Sequence, residues 1–364
     1  MINNKKNLDI QALRAIAIIM VILQHYRNRL PSPEWYLKTF HYVDYWAAVD
    51  IFLAISGYLM AKSLSGEILK NGRTIKSFFN FLYKRIFRLV PCLVLWCTFS
   101  IIISYFIQPA WGVSPLKSFT TFYTSLLGYS NIHFYICAAT STDCDQMNAV
   151  TWSLSLEWQL YVVIAILMLS FRKKNCIYLF MFVVIAASFL PITKMYYQSI
   201  GWWIRPQAFF LGAIIYMVEN KFQIKNVLAR AALLFISICI LLIAPSHFHY
   251  RAILPAIGIA GALSFLCFLS GGLTNKKHNT LYKILDWIGD RSYSIYLCHL
   301  PLLHVTREAL NKVPIDTVSY EGKTVYFLVF ILLLLISADL SYRYVEKKFI
   351  SLGKFLMQKK QLQS

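Results

Sequence analysis

Residues 8–26 read LDIQALRAIAIIMVILQHY, and the fold is decided by how this stretch is understood. A helix needs about 20 predominantly apolar residues to cross the hydrocarbon of a bilayer, which is close to the length of this run. It carries Asp9 and Arg14 inside it and no small-residue cleavage site after it, so it is read as a retained membrane helix and not a signal peptide. Arg14 and His25 stand eleven positions apart. At 100° per residue they return to within about 20° of one face, roughly 16 Å apart along the axis, so a single stripe presents both to one cavity.

Working outward, nine further apolar runs end in charged or turn-forming residues: Tyr42 to Ala61, Ile86 to Ile107, Trp152 to Ser170, Cys176 to Ile192, Trp202 to Val218, Val227 to Ala244, Ala252 to Ser270, Ile288 to Val305 and Val325 to Tyr344. The expected fold is therefore all-α, a polytopic membrane bundle of about ten transmembrane helices. Composition agrees. Of the 364 residues 58% are hydrophobic and only 14% charged, and the mean hydropathy is +0.55, which excludes an ordinary soluble domain.

A net charge of +20 in a soluble protein would suggest nucleic acid as a partner. Here topology accounts for it. With the N-terminus inside, about 24 of the 36 basic residues fall in cytoplasmic segments: Lys5 and Lys6, Lys62 through Arg88, Arg172 to Lys174, Lys221 through Arg230, Lys276 through Lys283, and Arg343 through Lys360. Both termini are expected in the cytoplasm, with a membrane domain over residues 1–350 and a short basic tail over 351–364. The partner this implies is the lipid bilayer, with no nucleic acid. Trp35, Trp46, Trp111, Trp202 and Trp203 lie near predicted helix ends, as an interfacial belt would place them.

Cys92, Cys97, Cys176, Cys239, Cys267 and Cys298 fall in apolar runs as packing residues, and no cysteine spacing suits a metal, so none is expected. Cys137 and Cys144 lie in the long outer loop Gln108 to Thr151, where a disulfide can persist as a loop staple; the sequence leaves the pair open.

Ionisable groups within a membrane are costly and mark sites. Asp50 and Glu157 enter from the outer side and reach the depth of His25, where a carboxylate can orient an imidazole base. They also suit structural ion pairs with Arg14, Arg205 or Arg291. His25, at a helix end, also has an ordinary reading as a boundary histidine. Arg85 and Arg88 stand one turn apart at the inner edge, where guanidinium forks suit phosphates and basic residues equally suit lipid headgroups. Ser56 and Gly57 permit a close helix contact. Tyr296 and His299 are three apart and neighbours on one face.

Together these residues resemble the acyltransferase family 3 of membrane proteins, which includes bacterial O-antigen and nodulation-factor acetylases. The pieces are Leu8 to Ala15 with His25; Val49 to Tyr58; Arg85 to Pro91; Trp152 to Glu157 with Tyr161; and Ser292 to Leu297 with His299 and Pro301, in the family's order over nearly the whole chain. Ala208 departs from the pattern, standing where an acid is expected after Arg205. The extracytoplasmic hydrolase-like domain fused to some members is not seen, so the expectation is action alone or with a separate partner.

The resemblance implies an O-acyltransferase of the bacterial inner membrane. It would move an acyl group, acetyl above all, from acetyl-CoA to a carbohydrate hydroxyl such as that of lipopolysaccharide O-antigen, lipid-linked or not. In this reading Arg85 and Arg88 hold the CoA phosphates, with Ser56, Tyr296 and His299 in the donor pocket. The pantetheine arm passes Arg14, and His25 acts as general base oriented by Asp50 or Glu157. Two other classes fit the polar residues: a polysaccharide or small-molecule transporter or flippase, and a scaffold without catalysis.

Overall fold

The computed structural model describes residues 7–27, 29–107, 112–219, 222–271 and 280–362, with side chains to residue 359. Lys5, Lys6, Lys221, Lys276 and Lys277, which entered the charge reading, and Trp111 lie outside the described residues. Helices are the regular structure of the described residues, which contain no strand. In order the helices are α1 (Leu8–Tyr26), α2 (Glu34–Thr39), α3 (Ala48–Asn71), α4 (Ile75–Ser104), α5 (Pro115–Leu126), α6 (Ser130–Ala139), α7 (Thr151–Ser170), α8 (Lys173–Ser188), α9 (Ile200–Trp203), α10 (Gln207–Val218), α11 (Val227–His247), α12 (Tyr250–Leu269), α13 (Thr280–Leu310), α14 (Tyr320–Ser341) and α15 (Lys347–Leu362).

Local chemistry sets several of the ends. The Asn7 side chain accepts from the amides of Asp9 and Ile10 and so caps α1. Gly72, at a φ of 69°, stops α3 in the left-handed region that glycine enters without strain. Pro206 lacks an amide hydrogen and restricts Arg205 before it, so the run expected from Trp202 to Val218 is broken into α9 and α10. The run expected from Tyr42 begins its helix only at Ala48 and continues past Ala61 to Asn71. The outer loop is likewise not bare coil, because α5 and α6 lie within it, both too short to register as spans. Residues 351–362, expected as a tail, continue α15, which packs on α4.

Among the described residues, seven helical stretches are long and apolar enough to cross a membrane: α1, α3, α4, α7, α11, α12 and the stretch Tyr320–Lys359. The protein is thus a multi-pass membrane architecture. α8 and α10 have 16 and 12 residues, and α13 has 31 residues but a heavy polar load that lowers its hydropathy. The ends of α3 and α7, the starts of α1, α4 and α13, and α15 share one face, here termed the basic face; α2, α5 and α6 lie on the opposite face.

Two helix pairs build the centre. α3 packs most extensively on α10, and α1 on α13. The α3–α10 crossing is a backbone contact: a Cβ on Gly57 would fall 1.8 Å from the carbonyl oxygen of Phe209, and one on Gly212 would fall 2.0 Å from that of Ala54. Gly289 plays the same part between α13 and α1, where a Cβ would fall 2.2 Å from the oxygen of Gln11. Small residues let membrane helices approach until their backbones touch, and dispersion then holds them. Gly212→Ala is expected to destabilise the protein by roughly 3 kcal/mol, the upper end for overpacking a core. A thermal unfolding midpoint in detergent equal to that of the unsubstituted protein would contradict the close crossing.

Candidate active site

Two adjacent chambers that share part of their lining lie in the bundle behind the basic face. The outer one holds about 1690 Å³ of space, counting its open mouth, and is lined by Arg14, Lys70, Lys84, Arg85, Arg88 and Lys354 with the acids Glu67, Asp290 and Glu346. The inner one holds about 780 Å³ and is mostly apolar, with walls from Val49, Phe52, Leu53, Leu59, Met60, Leu89 and Leu154. Arg14, Arg85 and Arg88 line both, so three guanidiniums ring the junction.

Each is placed by its helix. Arg14 projects from α1 and its Nε donates to Ser292 Oγ on α13 at 3.1 Å, across the contact that Gly289 makes possible. Arg85 and Arg88 come from α4. The Nε of Arg85 is buried without a hydrogen-bond partner in the protein. An unanswered buried donor is costly, and an anionic ligand entering the chamber would satisfy it. Asp290 accepts from Gln11, and Lys84 pairs with the buried Glu67.

Deeper in, Ser56 Oγ donates to the Glu157 carboxylate and lies 3.1 Å from the Tyr161 hydroxyl. Tyr296 closes the far wall: its hydroxyl is 2.7 Å from Ser153 Oγ and donates to the Val150 carbonyl at 3.0 Å, while its ring meets Phe52 with centroids 6.3 Å apart. Behind Tyr296, one turn along α13, stands His299, with ring centroids 5.9 Å apart. His299 Nε2 lies 3.0 Å from His25 Nδ1, and His299 Nδ1 lies 3.2 Å from the carbonyl of Ile295. His25 and His299 therefore meet between α1 and α13, but neither lines the chambers, which end at Tyr296.

The structure brings Arg14, Arg85, Arg88, Ser56, Glu157 and Tyr296 to one cavity and sets His25 with His299 just beyond it. Among the described residues it brings no carboxylate into hydrogen bond or ion pair with His25. Asp50 accepts from Arg205 Nε at 3.2 Å, both side chains fully buried, and the guanidinium is enclosed by the rings of Trp46, Trp152 and Trp202 with its carbon 5.3, 4.8 and 3.9 Å from their centroids. Asp50 is thus half of a buried ion pair, and Glu157 is engaged by Ser56; the neighbour of His25 is an imidazole. The reason is depth and azimuth: Asp50 opens α3 on the side facing α10 and α12, away from α1's histidine.

That pairing also answers the departure at Ala208, since the acid for Arg205 arrives from α3. It corrects the tryptophan reading too, because Trp46 and Trp202 are buried around a cation instead of lying at an interface; Trp35 is exposed. Arg291 binds Asp339 of α14 at 2.6 Å and Arg343 binds the same acid at 2.8 Å. Cys137 and Cys144 are bridged.

Two buried acids of the chamber, Glu67 and Glu346, escaped the sequence reading. Glu346 is buried at the end of a π-helical segment, Tyr342–Glu346, and accepts from Ser294 Oγ at 3.1 Å. A lone acid inside the basic run Arg343 to Lys348 was the available signal, and π-helical turns recur at functional sites.

Fold and cavity together define a polytopic membrane protein with an arginine-ringed internal chamber. Residues 7–343 match the Acyltransferase domain family, and the chain belongs to it, as the five motifs implied. Among curated relatives, the O-acetyl transferase of Shigella phage Sf6 is 24% identical over 352 residues, covering 93% of this chain and 94% of its own. The peptidoglycan O-acetyltransferase OatA of Listeria monocytogenes is 26% identical over 338 residues, 83% of this chain and 50% of its own. The O-acetyltransferase OatA of Staphylococcus aureus is 23% identical over 406 residues, 96% of this chain and 59% of its own. The chain thus spans nearly all of the phage protein and between half and three-fifths of the OatA proteins. No solved structure matches it.

Proposed function

We propose that the protein is a membrane O-acyltransferase that takes an acetyl group from acetyl-CoA and places it on a hydroxyl of a cell-surface carbohydrate, such as lipopolysaccharide O-antigen. The observation that carries this reading is the ring of Arg14, Arg85 and Arg88 at the neck of a chamber that narrows from basic to apolar and stops one side chain short of an imidazole pair. A CoA thioester has that same polarity order: phosphates, then a thin amphipathic arm, then a small acyl head. The names of the relatives support acetyl as the group and oxygen as its destination. In this reading the basic face is cytoplasmic, both termini lie there, α8, α10 and α13 complete a ten-span bundle, and the membrane is the bacterial inner membrane.

The chemistry then falls to few groups. Arg85 and Arg88 hold phosphate oxygens with charge-assisted hydrogen bonds, and Arg14 marks the passage of the arm. Ser56, Glu157 and Tyr161 form the polar wall of the inner chamber. His25, near the acceptor side, takes the proton of the acceptor hydroxyl as its oxygen attacks the thioester carbonyl, and returns it to the departing thiolate. Asp50 is left out of the reaction and holds the scaffold.

The test is mass spectrometry of surface glycans from cells with and without the protein. Gain of an acetyl mass is expected; an unmodified but relocated glycan would replace this reading with transport. A narrower outcome concerns the arginines. Arg85→Ala and Arg88→Ala are each expected to raise the KM for acetyl-CoA by about ten- to a hundredfold, from loss of a charge-assisted contact of about 1.5–3 kcal/mol, with kcat less affected. Unchanged donor KM in both would remove them from the donor site.

A further inference from the structure

The contact between the two imidazoles has a direction that can be worked out atom by atom. A carbonyl oxygen only accepts, so the 3.2 Å contact of His299 Nδ1 with the Ile295 carbonyl puts a hydrogen on that nitrogen. In a neutral ring Nε2 of His299 is then bare. Its partner at 3.0 Å, His25 Nδ1, must supply the hydrogen. That leaves Nε2 of His25 bare. Neutrality is the natural state here: among the described residues neither imidazole has a carboxylate in salt-bridge range, and the nearest charged contact is Arg29, whose Nη1 donates to the His25 backbone carbonyl at 3.1 Å. A second cation beside that guanidinium would be unsupported.

We propose that His299 is a positioning residue which, anchored on the Ile295 carbonyl, fixes His25 in the tautomer that presents a bare Nε2 to the acceptor hydroxyl. This rests on the reading of His25 as the base. In the transfer step the acceptor oxygen bonds to the thioester carbonyl carbon while its proton passes to His25 Nε2, and the carbon–sulfur bond breaks with its electron pair on sulfur. The thiolate then takes the proton from His25, so protein and charge return to their starting state. During the step His25 is cationic, and the lone pair of His299 Nε2 accepts from its Nδ1–H throughout. An imidazole thus serves where other base pairs use a carboxylate, without burying a fixed negative charge in the bilayer.

The test compares His299→Gln with His299→Asn, both polar and similarly sized. A glutamine amide oxygen reaches the place of Nε2 and can accept from His25, whereas asparagine, one methylene shorter, ends near the place of Nδ1. With purified protein, labelled acetyl-CoA and the glycan acceptor, Asn is expected to lower kcat by about 100-fold or more and Gln to stay within about tenfold of the native protein. Donor KM is expected to be unchanged in both, which a merely structural loss would not give. Equal losses in Gln and Asn, or full activity in Asn, would overturn the role of His299. His25→Ala, measured alongside, tells the two ideas apart: if it keeps full activity the base assignment itself fails, whereas an inactive His25→Ala with an unaffected His299→Asn defeats the positioning role alone.

Discussion

Alanine at position 25 is expected to lower acetyl transfer by about 100- to 10,000-fold, the range a positioned general base contributes, while leaving the protein folded and able to bind acetyl-CoA. His25 sits on α1 in helical phase with Arg14, at the far end of the stripe from the chamber mouth, and its Nδ1 lies 3.0 Å from His299 Nε2. Removing the ring deletes no contact of the proposed donor site, because the arginines that line the chamber lie on α4 and at the start of α1. The loss should therefore appear in kcat, with the donor KM little changed. Rapid quench after mixing native protein with labelled acetyl-CoA and no acceptor provides a second readout. Label retained on the protein would mean that His25 carries the acyl group covalently in place of acting as a base.

The second large effect concerns stability. Arg205→Ala or Asp50→Asn is expected to cost about 3–5 kcal/mol, because each leaves a fully buried partner without its counter-charge. The three tryptophans around Arg205 raise the cost for the arginine, since a desolvated cation over aromatic faces gains up to about 2 kcal/mol. Asp50→Leu combined with Arg205→Met removes both charges and should recover most of the loss, as apolar replacement of a buried pair often does. Thermal unfolding in detergent reads all three. If Asp50→Asn instead unfolds normally while kcat collapses, Asp50 acts on the chemistry and the ion-pair account fails.

Much of this was legible in residues alone. The bounds of α1 and α7 follow the apolar runs to within one residue, because a lipid-facing helix must be apolar and a lipid-water boundary is marked by charge. The shared face of Arg14 and His25 is a property of one helix and needs no tertiary knowledge. What the sequence withheld lies between helices. Asp50 had three candidate arginines and nothing local to choose among them; His299 could be placed beside Tyr296 but not against His25, two hundred and more residues away. The start of α3 was misjudged because Tyr42 to Ala47 is as aromatic and apolar as a span, yet Asp44 turns there to bond the carbonyl of Leu242. Glu346 was hidden by its basic neighbours, and Trp46 and Trp202 by the fact that a membrane interface and a cation cage call for the same side chain.

The wall made by Tyr296 and Phe52 bears on the cell that carries the protein. A bore running uninterrupted from one side of a bilayer to the other, and ringed by arginines, would let anions and protons drain down their gradients. Tyr296, tied to Ser153 and Val150, is a hydrogen-bonded wall of the mostly apolar inner chamber, and a wall of that kind across the path preserves the electrical insulation of the membrane.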